Sequence, residues 1–187
     1  GKGAFLPETL EEALTICRSL LIEGDLGEAG RVVVIEDFLP GTEITILAVT
    51  DGRTVRLLPT SQDHKRAFDG DKGPNTGGMG AYCPVPWADE SLLDTIFDTI
   101  LEPTVRGLAV EKIDFCGVIY AGLMIDREKK CRVLEYNVRL GDPEAQVVLA
   151  AFPGDWAEVV EACCAGHLDS VAWGQPVDSA VGIVLAS

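Results

Sequence analysis

The run of residues 134–143 carries polar side chains at a spacing that suits binding chemistry. If the run is an extended strand, its side chains alternate between two faces, so Glu135, Asn137 and Arg139 share one face. Neighbours on that face lie about 6.5 Å apart. A carboxylate and an amide oxygen at this spacing can converge on Mg²⁺, and an arginine can hold a phosphate or carboxylate bidentately. The pattern equally fits the solvent-facing side of an edge strand.

The other face of that strand is entirely apolar, and we expect it to be buried. It carries Leu134, Tyr136, Val138 and Leu140.

Two segments further upstream could bind an anion. Ser61–Arg66 combines three cation-capable side chains with one carboxylate, which suits a phosphate or carboxylate partner or else a solvated loop. Gly73–Gly80 could present consecutive backbone N–H groups to an anion, with Asn75 and Thr76 as further donors. It lacks the Lys-Ser/Thr ending of a phosphate-binding P-loop, and a flexible linker is the alternative.

Carboxylates also cluster in Ile35–Glu43, at the predicted end of a buried strand. Glu43 could accept hydrogen bonds from the hydroxyls of a sugar, whereas Glu36 and Asp37 could be ordinary residues of a strand end. His167 and the Cys163-Cys164 pair are most simply a helix-end residue and core residues.

Composition restricts the classes of function. The 187 residues carry a formal charge of −15, so nucleic acid and anionic membranes are not expected partners. No apolar run approaches the roughly 20 residues of a membrane span, and no signal peptide is visible. Six cysteines occur without a CxxC pair, so we expect no zinc site and a reducing, cytoplasmic location.

Helical and strand patterns alternate along the chain and predict the α+β class, an antiparallel sheet with helices packed on one face. The predicted helices begin near Thr9, Asp89, Pro143 and Asp155. The predicted strands cover residues 31–39, 43–50, 53–60, 115–126 and 131–140, with a last strand from Asp178 that has no evident partner. Residues 61–86 are predicted to form a long loop, which is usually functional or disordered.

Three long motifs, in one order and at compatible spacing, resemble the phosphoribosylamine–glycine ligase family of the ATP-grasp superfamily. They are Leu58–Arg66, Gly73–Tyr82 and Glu135–Glu144. The resemblance implies an ATP-grasp domain over residues 1–169, truncated at its N-terminus, and the start of a small C-terminal domain over 170–187. On this view the chain is a fragment whose missing N- and C-terminal segments would be its partners, and we expect little or no turnover from it alone.

The resemblance implies that ATP phosphorylates the carboxylate of glycine and that 5-phosphoribosylamine captures the acyl phosphate. It assigns Glu135 and Asn137 to Mg²⁺ (or Mn²⁺), and Lys65 and Arg139 to the transferring phosphoryl group or the glycine carboxylate. The residues that it assigns to ATP are Lys2, Gly3, Glu36, Phe38, Leu39 and Glu43, with Glu43 on the ribose. The residues that it assigns to the other substrates are Asp63, His64, Asn75, Thr76, Gly77, Gly78 and Asp142.

Two departures and two alternatives accompany this interpretation. Tyr136 and Leu140 stand where the family commonly has phenylalanine, and the strand around Tyr120 lacks the additional metal carboxylate of many ATP-grasp enzymes. A non-catalytic nucleotide-binding module, or an ATP-grasp ligase acting on another acid or amine, would carry much the same sequence.

Overall fold

The computed structural model describes residues 3–70, 72–176 and 178–185. The chain divides into two compact units, Gly1–Phe38 and Leu39–Ser187. The predicted domain boundary after residue 169 is a separate matter and stays a prediction.

The first unit is helical. Helix α1 (Leu10–Arg18) begins where the Thr9 side chain accepts a hydrogen bond from the backbone N–H of Glu12, as an N-cap should. It continues into a π-helical turn, Ser19–Glu23, which ends at Gly24 in the left-handed conformation. A 3₁₀ turn follows at Gly27–Arg31.

The predicted buried strand over residues 31–39 is wrong. Within the described part of the chain, this run is paired with no other strand, and its side chains are largely exposed, Ile35 at 85%. Its β-branched composition favours extended backbone, but a strand forms only where a neighbour satisfies its backbone N–H and C=O groups.

The second unit contains two antiparallel sheets. The first has four strands in the order β2-β1-β5-β6. These strands are β1 (Thr42–Thr50), β2 (Val55–Leu57), β5 (Gly117–Ile125) and β6 (Cys131–Asn137). The second has three strands in the order β3-β4-β7. These strands are β3 (Gln62–Phe68), β4 (Lys72–Cys83) and β7 (Ala180–Ile183).

The predicted hairpins around Asp51-Gly52 and residues 127–130 are confirmed. At the first turn, the Asp51 carboxylate accepts from the backbone N–H groups of Arg53 and Thr54, and Gly52 takes a positive φ of 90°. Local turn chemistry of this kind sets the register of a hairpin.

The predicted loop over residues 61–86 is instead largely the β3–β4 hairpin. Its glycines suggest a loop in the sequence, but two of them, Gly78 and Gly80, lie where a side chain would not fit. A Cβ at Gly80 would lie 2.5 Å from the backbone oxygen of Gly182 on β7. The last strand is therefore paired with β4, contrary to the expectation that it had no partner.

The antiparallel α+β class is confirmed, but helices pack on both faces of the four-stranded sheet rather than on one. Helices α2 (Glu90–Ile96) and α3 (Glu102–Val110), joined by a π turn at Phe97–Leu101, cover one face. Helices α4 (Glu144–Ala151) and α5 (Trp156–Ala165) pack on the other. This explains why β1 is apolar at consecutive positions, since both of its faces are buried.

The predicted helix starts at Asp89 and Asp155 are confirmed as N-caps, and α4 follows Pro143 directly. Among the described residues, no helix is both long and apolar enough to cross a membrane.

Candidate active site

Polar side chains from β1 and β6 meet on one face of the four-stranded sheet. Gly122 of β5 is directly opposite Thr45 on one side and Glu135 on the other, and Tyr120 is opposite Asn137. Directly opposed residues of a sheet share a face, so Glu135 and Asn137 lie on the same face as Thr45. Glu43, two residues before Thr45, belongs to this face as well.

A bulge and a glycine direct Glu135 over this face. The register of β6 shifts between its pairs with Gly122 and Leu123, which leaves Leu134 as the extra residue. A Cβ at Gly122 would lie 3.2 Å from Cγ of Glu135, so the missing side chain makes room for the glutamate to lie across β5.

The apolar face of β6 is more exposed than the sequence suggested. Leu134 and Tyr136 are 38% and 45% exposed, and Val138, which follows the end of the strand, is 73% exposed. The reason is that β6 is the edge strand, and α3 covers it only in part. Tyr136 still reaches that helix, where its hydroxyl lies 2.8 Å from Oγ1 of Thr104.

Lys65 of β3 brings the second sheet to the same face. Its ammonium donates a hydrogen bond to the Glu43 carboxylate and lies 3.6 Å from Oδ2 of Asp63. Burial lowers the pKa of Lys65, but the Glu43 hydrogen bond and the charges of Asp63 and Glu135 outweigh it, so the net shift is upward. Lys65 is therefore a protonated cation whose position is fixed by the carboxylates of Glu43 and Asp63.

Asp63 is the more deeply buried of the two carboxylates that contact Lys65. Its side chain is 4% exposed. Burial raises the pKa of Asp63 to about 6, with Glu144 and Glu43 adding to the increase and Lys65 opposing it. Asp63 therefore titrates close to neutrality.

The floor of the site is a hydrogen-bonded group that sequence reasoning missed. Glu144 is 2% exposed and accepts hydrogen bonds from the Tyr120 hydroxyl at 2.8 Å and from Oγ1 of Thr45 at 3.2 Å. Burial raises the pKa of Tyr120, which stays a neutral donor. In the sequence, Glu144 is indistinguishable from an ordinary acid in the first turn of a helix, and Thr45 and Tyr120 each stand between two apolar neighbours.

The predicted substrate residues of the β3–β4 hairpin lie beside this floor. A Cβ at Gly78 would lie 2.5 Å from Cδ of Pro143, so the hairpin packs directly on the turn that follows β6. Thr76 has a structural partner: its hydroxyl donates to the backbone oxygen of Lys65 at 2.8 Å. The His64 ring lies 5.9 Å from that of Tyr82, centroid to centroid.

Strand β6 ends at Asn137, so the predicted residues Arg139 and Asp142 lie in the turn that follows it rather than on the strand. Both are exposed and engaged locally. Arg139 donates to the backbone oxygen of Leu140 at 2.9 Å, and Asp142 accepts from Nε2 of Gln146 at 2.8 Å.

The predicted adenine and phosphate residues lie elsewhere in the chain. Gly3, Glu36 and Phe38 belong to the first unit, Leu39 begins the second, and Lys2 is outside the described residues. Their assignments stay predictions, as do those of Gly77 and of Asn75, for which only the backbone, on β4 opposite Arg66, is described.

The donor set suits a hard cation held jointly with a ligand. Glu135 and Asn137 offer one carboxylate and one amide oxygen, and among the described residues no group of three or more His, Cys, Asp or Glu side chains could hold a metal ion alone. Mg²⁺ commonly binds through one or two carboxylates together with substrate phosphates.

Comparison with known proteins identifies the class to which this site belongs. The sequence profile of the family described as the phosphoribosylglycinamide synthetase ATP-grasp (A) domain matches residues 1–145. A crystal structure of phosphoribosylamine–glycine ligase from Thermotoga maritima superposes with a TM-score of 0.80 at 35% identity, over 100% of this chain and 46% of that one. The fold is that of an ATP-grasp domain.

Two curated relatives align with nearly the whole length of this chain. The chain is 45% identical to phosphoribosylamine–glycine ligase of Vigna unguiculata over 188 residues, covering 100% of this chain and 60% of the relative. It is 49% identical to a bifunctional purine biosynthetic protein of Schizosaccharomyces pombe, covering 91% of this chain and 22% of the relative. The chain therefore belongs to the phosphoribosylglycinamide synthetase family, and it spans less than two thirds of either relative.

Proposed function

We propose that the intact protein joins glycine to 5-phosphoribosylamine at the expense of ATP. A glycine carboxylate oxygen attacks the γ-phosphorus of ATP and ADP leaves, which gives glycyl phosphate. The amine of 5-phosphoribosylamine then attacks the acyl carbon, phosphate leaves, and the amide of glycinamide ribonucleotide forms with loss of a proton. The family and the names of the relatives support this reaction.

The single observation that carries the proposal is the convergence of Lys65 with Glu43 and Glu135 on one sheet face. Phosphoryl transfer depends on positioning and charge neutralisation more than on covalent chemistry by the protein. Lys65 is held by Glu43 and Asp63, and its raised pKa keeps it protonated. We assign it to oxygens of the transferring phosphoryl group, with Arg139 on the same group or on the glycine carboxylate.

Glu135 and Asn137 would hold the divalent cation, which we propose to be Mg²⁺, with Mn²⁺ as a substitute. When bound, the cation neutralises the charge of the ATP phosphates. The protein contributes two oxygen ligands from one strand, fixed by their pairing with Gly122 and Tyr120.

We propose that the other residues assigned from sequence bind the substrates. Lys2, Gly3, Glu36, Phe38 and Leu39 would contact the phosphates and adenine of ATP, and Glu43 the ribose hydroxyls. Glu43 accepts a hydrogen bond from Lys65, so ribose binding must share or break that contact.

The substrates other than ATP would meet the β3–β4 hairpin and the turn after β6. The residues proposed for them are Asp63, His64, Asn75, Thr76, Gly77, Gly78 and Asp142. We further propose that the reaction takes place in the cytoplasm, which the six free cysteines support.

Oxygen transfer from glycine tests the proposed reaction directly. The intact protein is incubated with ATP, Mg²⁺, 5-phosphoribosylamine and glycine labelled with ¹⁸O in both carboxylate oxygens. We expect the released phosphate to contain one ¹⁸O atom and the product amide to retain the other, because attack on phosphorus carries one glycine oxygen away.

Controls separate the alternative functions. ATP binding without any phosphate release would indicate a non-catalytic nucleotide module. Labelled phosphate formed from a different acid in preference to glycine would indicate another ATP-grasp ligase. Unlabelled phosphate accompanied by amide formation would overturn the acyl phosphate route.

A further inference from the structure

Glu144 is a buried acid that the proposed chemistry does not use. Its carboxylate is 2% exposed and is bound by hydroxyls from two different strands, Thr45 on β1 and Tyr120 on β5. Burial of a carboxylate strongly destabilises the folded protein unless the carboxylate is hydrogen-bonded. The two hydroxyl donors therefore determine the position of the Glu144 carboxylate. Glu144 thereby fixes the first residue of α4 to the centre of the sheet.

The same tyrosine holds both ends of the turn that carries Arg139. At one end, Asn137 is paired with Tyr120 in the β5–β6 ladder. At the other end, Glu144 accepts the hydrogen bond of the Tyr120 hydroxyl. The six residues between them, 138–143, form a short loop that is closed on one residue, through the backbone of Tyr120 at the first end and through its hydroxyl at the second.

Two glycines show how tightly this turn is enclosed. A Cβ at Gly141 would lie 2.6 Å from Cδ of Glu144 and 2.9 Å from Cε2 of Tyr120. On the β4 side, a Cβ at Gly78 would lie 2.5 Å from Cδ of Pro143. The turn is held between the buried carboxylate and the β3–β4 hairpin.

We propose that Glu144 is a positioning residue, which acts through Tyr120 to hold the 138–143 turn and so orients Arg139 for the reaction. The proposal rests on the proposed function for the role of Arg139. It requires that an acceptor oxygen, rather than a negative charge, be present at residue 144, because both contacts are hydrogen bonds that an amide oxygen also accepts.

A double-mutant cycle in the intact protein tests this role. Glu144→Met keeps the side-chain length but removes both acceptors, and we expect kcat to fall by up to about 100-fold, the size of effect that a small misplacement of a reacting group can produce. In an Arg139→Ala background the same change should have much less effect, because the group that it misplaces is gone. If the fold-reductions in kcat of the two single variants multiplied to that of the double variant within about twofold, the two sites would act independently, and the proposal would be overturned.

Conservative variants separate positioning from general stability. Glu144→Gln should retain most of the activity, because its amide oxygen accepts from both hydroxyls, and severe loss in this variant would contradict the acceptor role. Glu161→Gln makes the same charge change at an exposed position of α5 and is the matched control. If Glu144→Met does not fold, Tyr120→Phe takes its place in the cycle. This change deletes only the hydroxyl oxygen and so removes the hydrogen bond between Tyr120 and Glu144.

Hydrogen exchange keeps this test independent of the proposed reaction. Amides of residues 138–142 should exchange faster in Glu144→Met or Tyr120→Phe, while those of β1 do not change; Pro143 has no amide hydrogen. If Arg139→Ala leaves turnover unaltered, the assignment of Arg139 fails, and exchange alone decides whether Glu144 holds the turn. If residues 138–142 exchanged at the wild-type rate in both variants, the positioning role would be refuted.

Discussion

Replacing Gly141 with alanine should destabilise the second unit, because the added methyl group has no space. It would lie 2.6 Å from Cδ of Glu144 and 2.9 Å from Cε2 of Tyr120. Neither neighbour can yield freely, since the carboxylate is held by Tyr120 and Thr45. Overpacking of a buried site typically costs 1–3 kcal/mol. A loss of about 2 kcal/mol increases the population of opened molecules about 25-fold, because 1.4 kcal/mol is tenfold.

The assay follows the alkylation of a buried thiol. Cys163 lies in the same hydrophobic core cluster as Tyr120 and is 4% exposed, so its thiol reacts only when this core opens. We expect its alkylation in the intact protein at low urea to be about 25-fold faster in Gly141→Ala than in the wild type, as measured by mass spectrometry of the Cys163 peptide.

Gly107→Ala is the matched control. Gly107 lies in α3, and a Cβ there meets nothing within 4 Å. Alanine is favoured over glycine in a helix by up to about 1 kcal/mol, so this variant should open no faster than the wild type. If Gly141→Ala opened at the same rate as Gly107→Ala, Glu144 would not occupy the space beside Gly141, and the reasoning about the turn would be refuted.

Three further predictions concern the charged cluster and the cysteines. The folded-state pKa of Asp63 is raised to about 6 from its usual 3.8, so the folded protein binds the proton more tightly, and this group reduces stability as pH rises from about 4 to 6. The stability of Asp63→Asn relative to the wild type should therefore increase over that range in urea titrations, and a difference independent of pH would contradict the raised pKa. Lys65→Met should lower kcat by about 100- to 1000-fold, as removal of one electrostatic contact to a transition state does, and a rate within threefold of wild type would exclude Lys65 from that role. Iodoacetamide should label the exposed Cys164 rapidly and the buried Cys83 slowly, since burial raises the pKa of Cys83 to about 11, and equal rates would show that the core around β4 is open.

Elements determined by neighbouring residues could be predicted from the sequence. The Asp51-Gly52 turn and the N-caps at Asp89 and Asp155 depend on side chains within three residues of the backbone groups that they bind. The α+β class followed from the order of such elements. The prediction that Glu135 and Asn137 share one face followed from the two-residue alternation of side chains along a strand.

What could not be predicted depends on partners that are distant in the sequence. The apolar run around Ile35 has the composition of a strand, but strand formation requires a pairing neighbour. The glycines of β4 suggested a loop, because the requirement for glycine at residues 80 and 78 is visible only where Gly182 and Pro143 approach them. The hydroxyls that hold Glu144 are 24 and 99 residues away, at Tyr120 and Thr45, so no local pattern marks this carboxylate as part of the site.

We propose that Glu135 and Asn137 face a site where a metal ion and a nucleotide bind together. Electron paramagnetic resonance of Mn²⁺ with the intact protein, with and without a non-hydrolysable ATP analogue, tests it most directly. We predict that the analogue tightens Mn²⁺ binding, and that Glu135→Gln weakens the ternary complex at least tenfold, about the minimum loss caused even by outer partners of a metal site. The exposed control Glu161→Gln should match the wild type. Equal Mn²⁺ affinity in Glu135→Gln and the wild type, with the analogue present, would contradict the account.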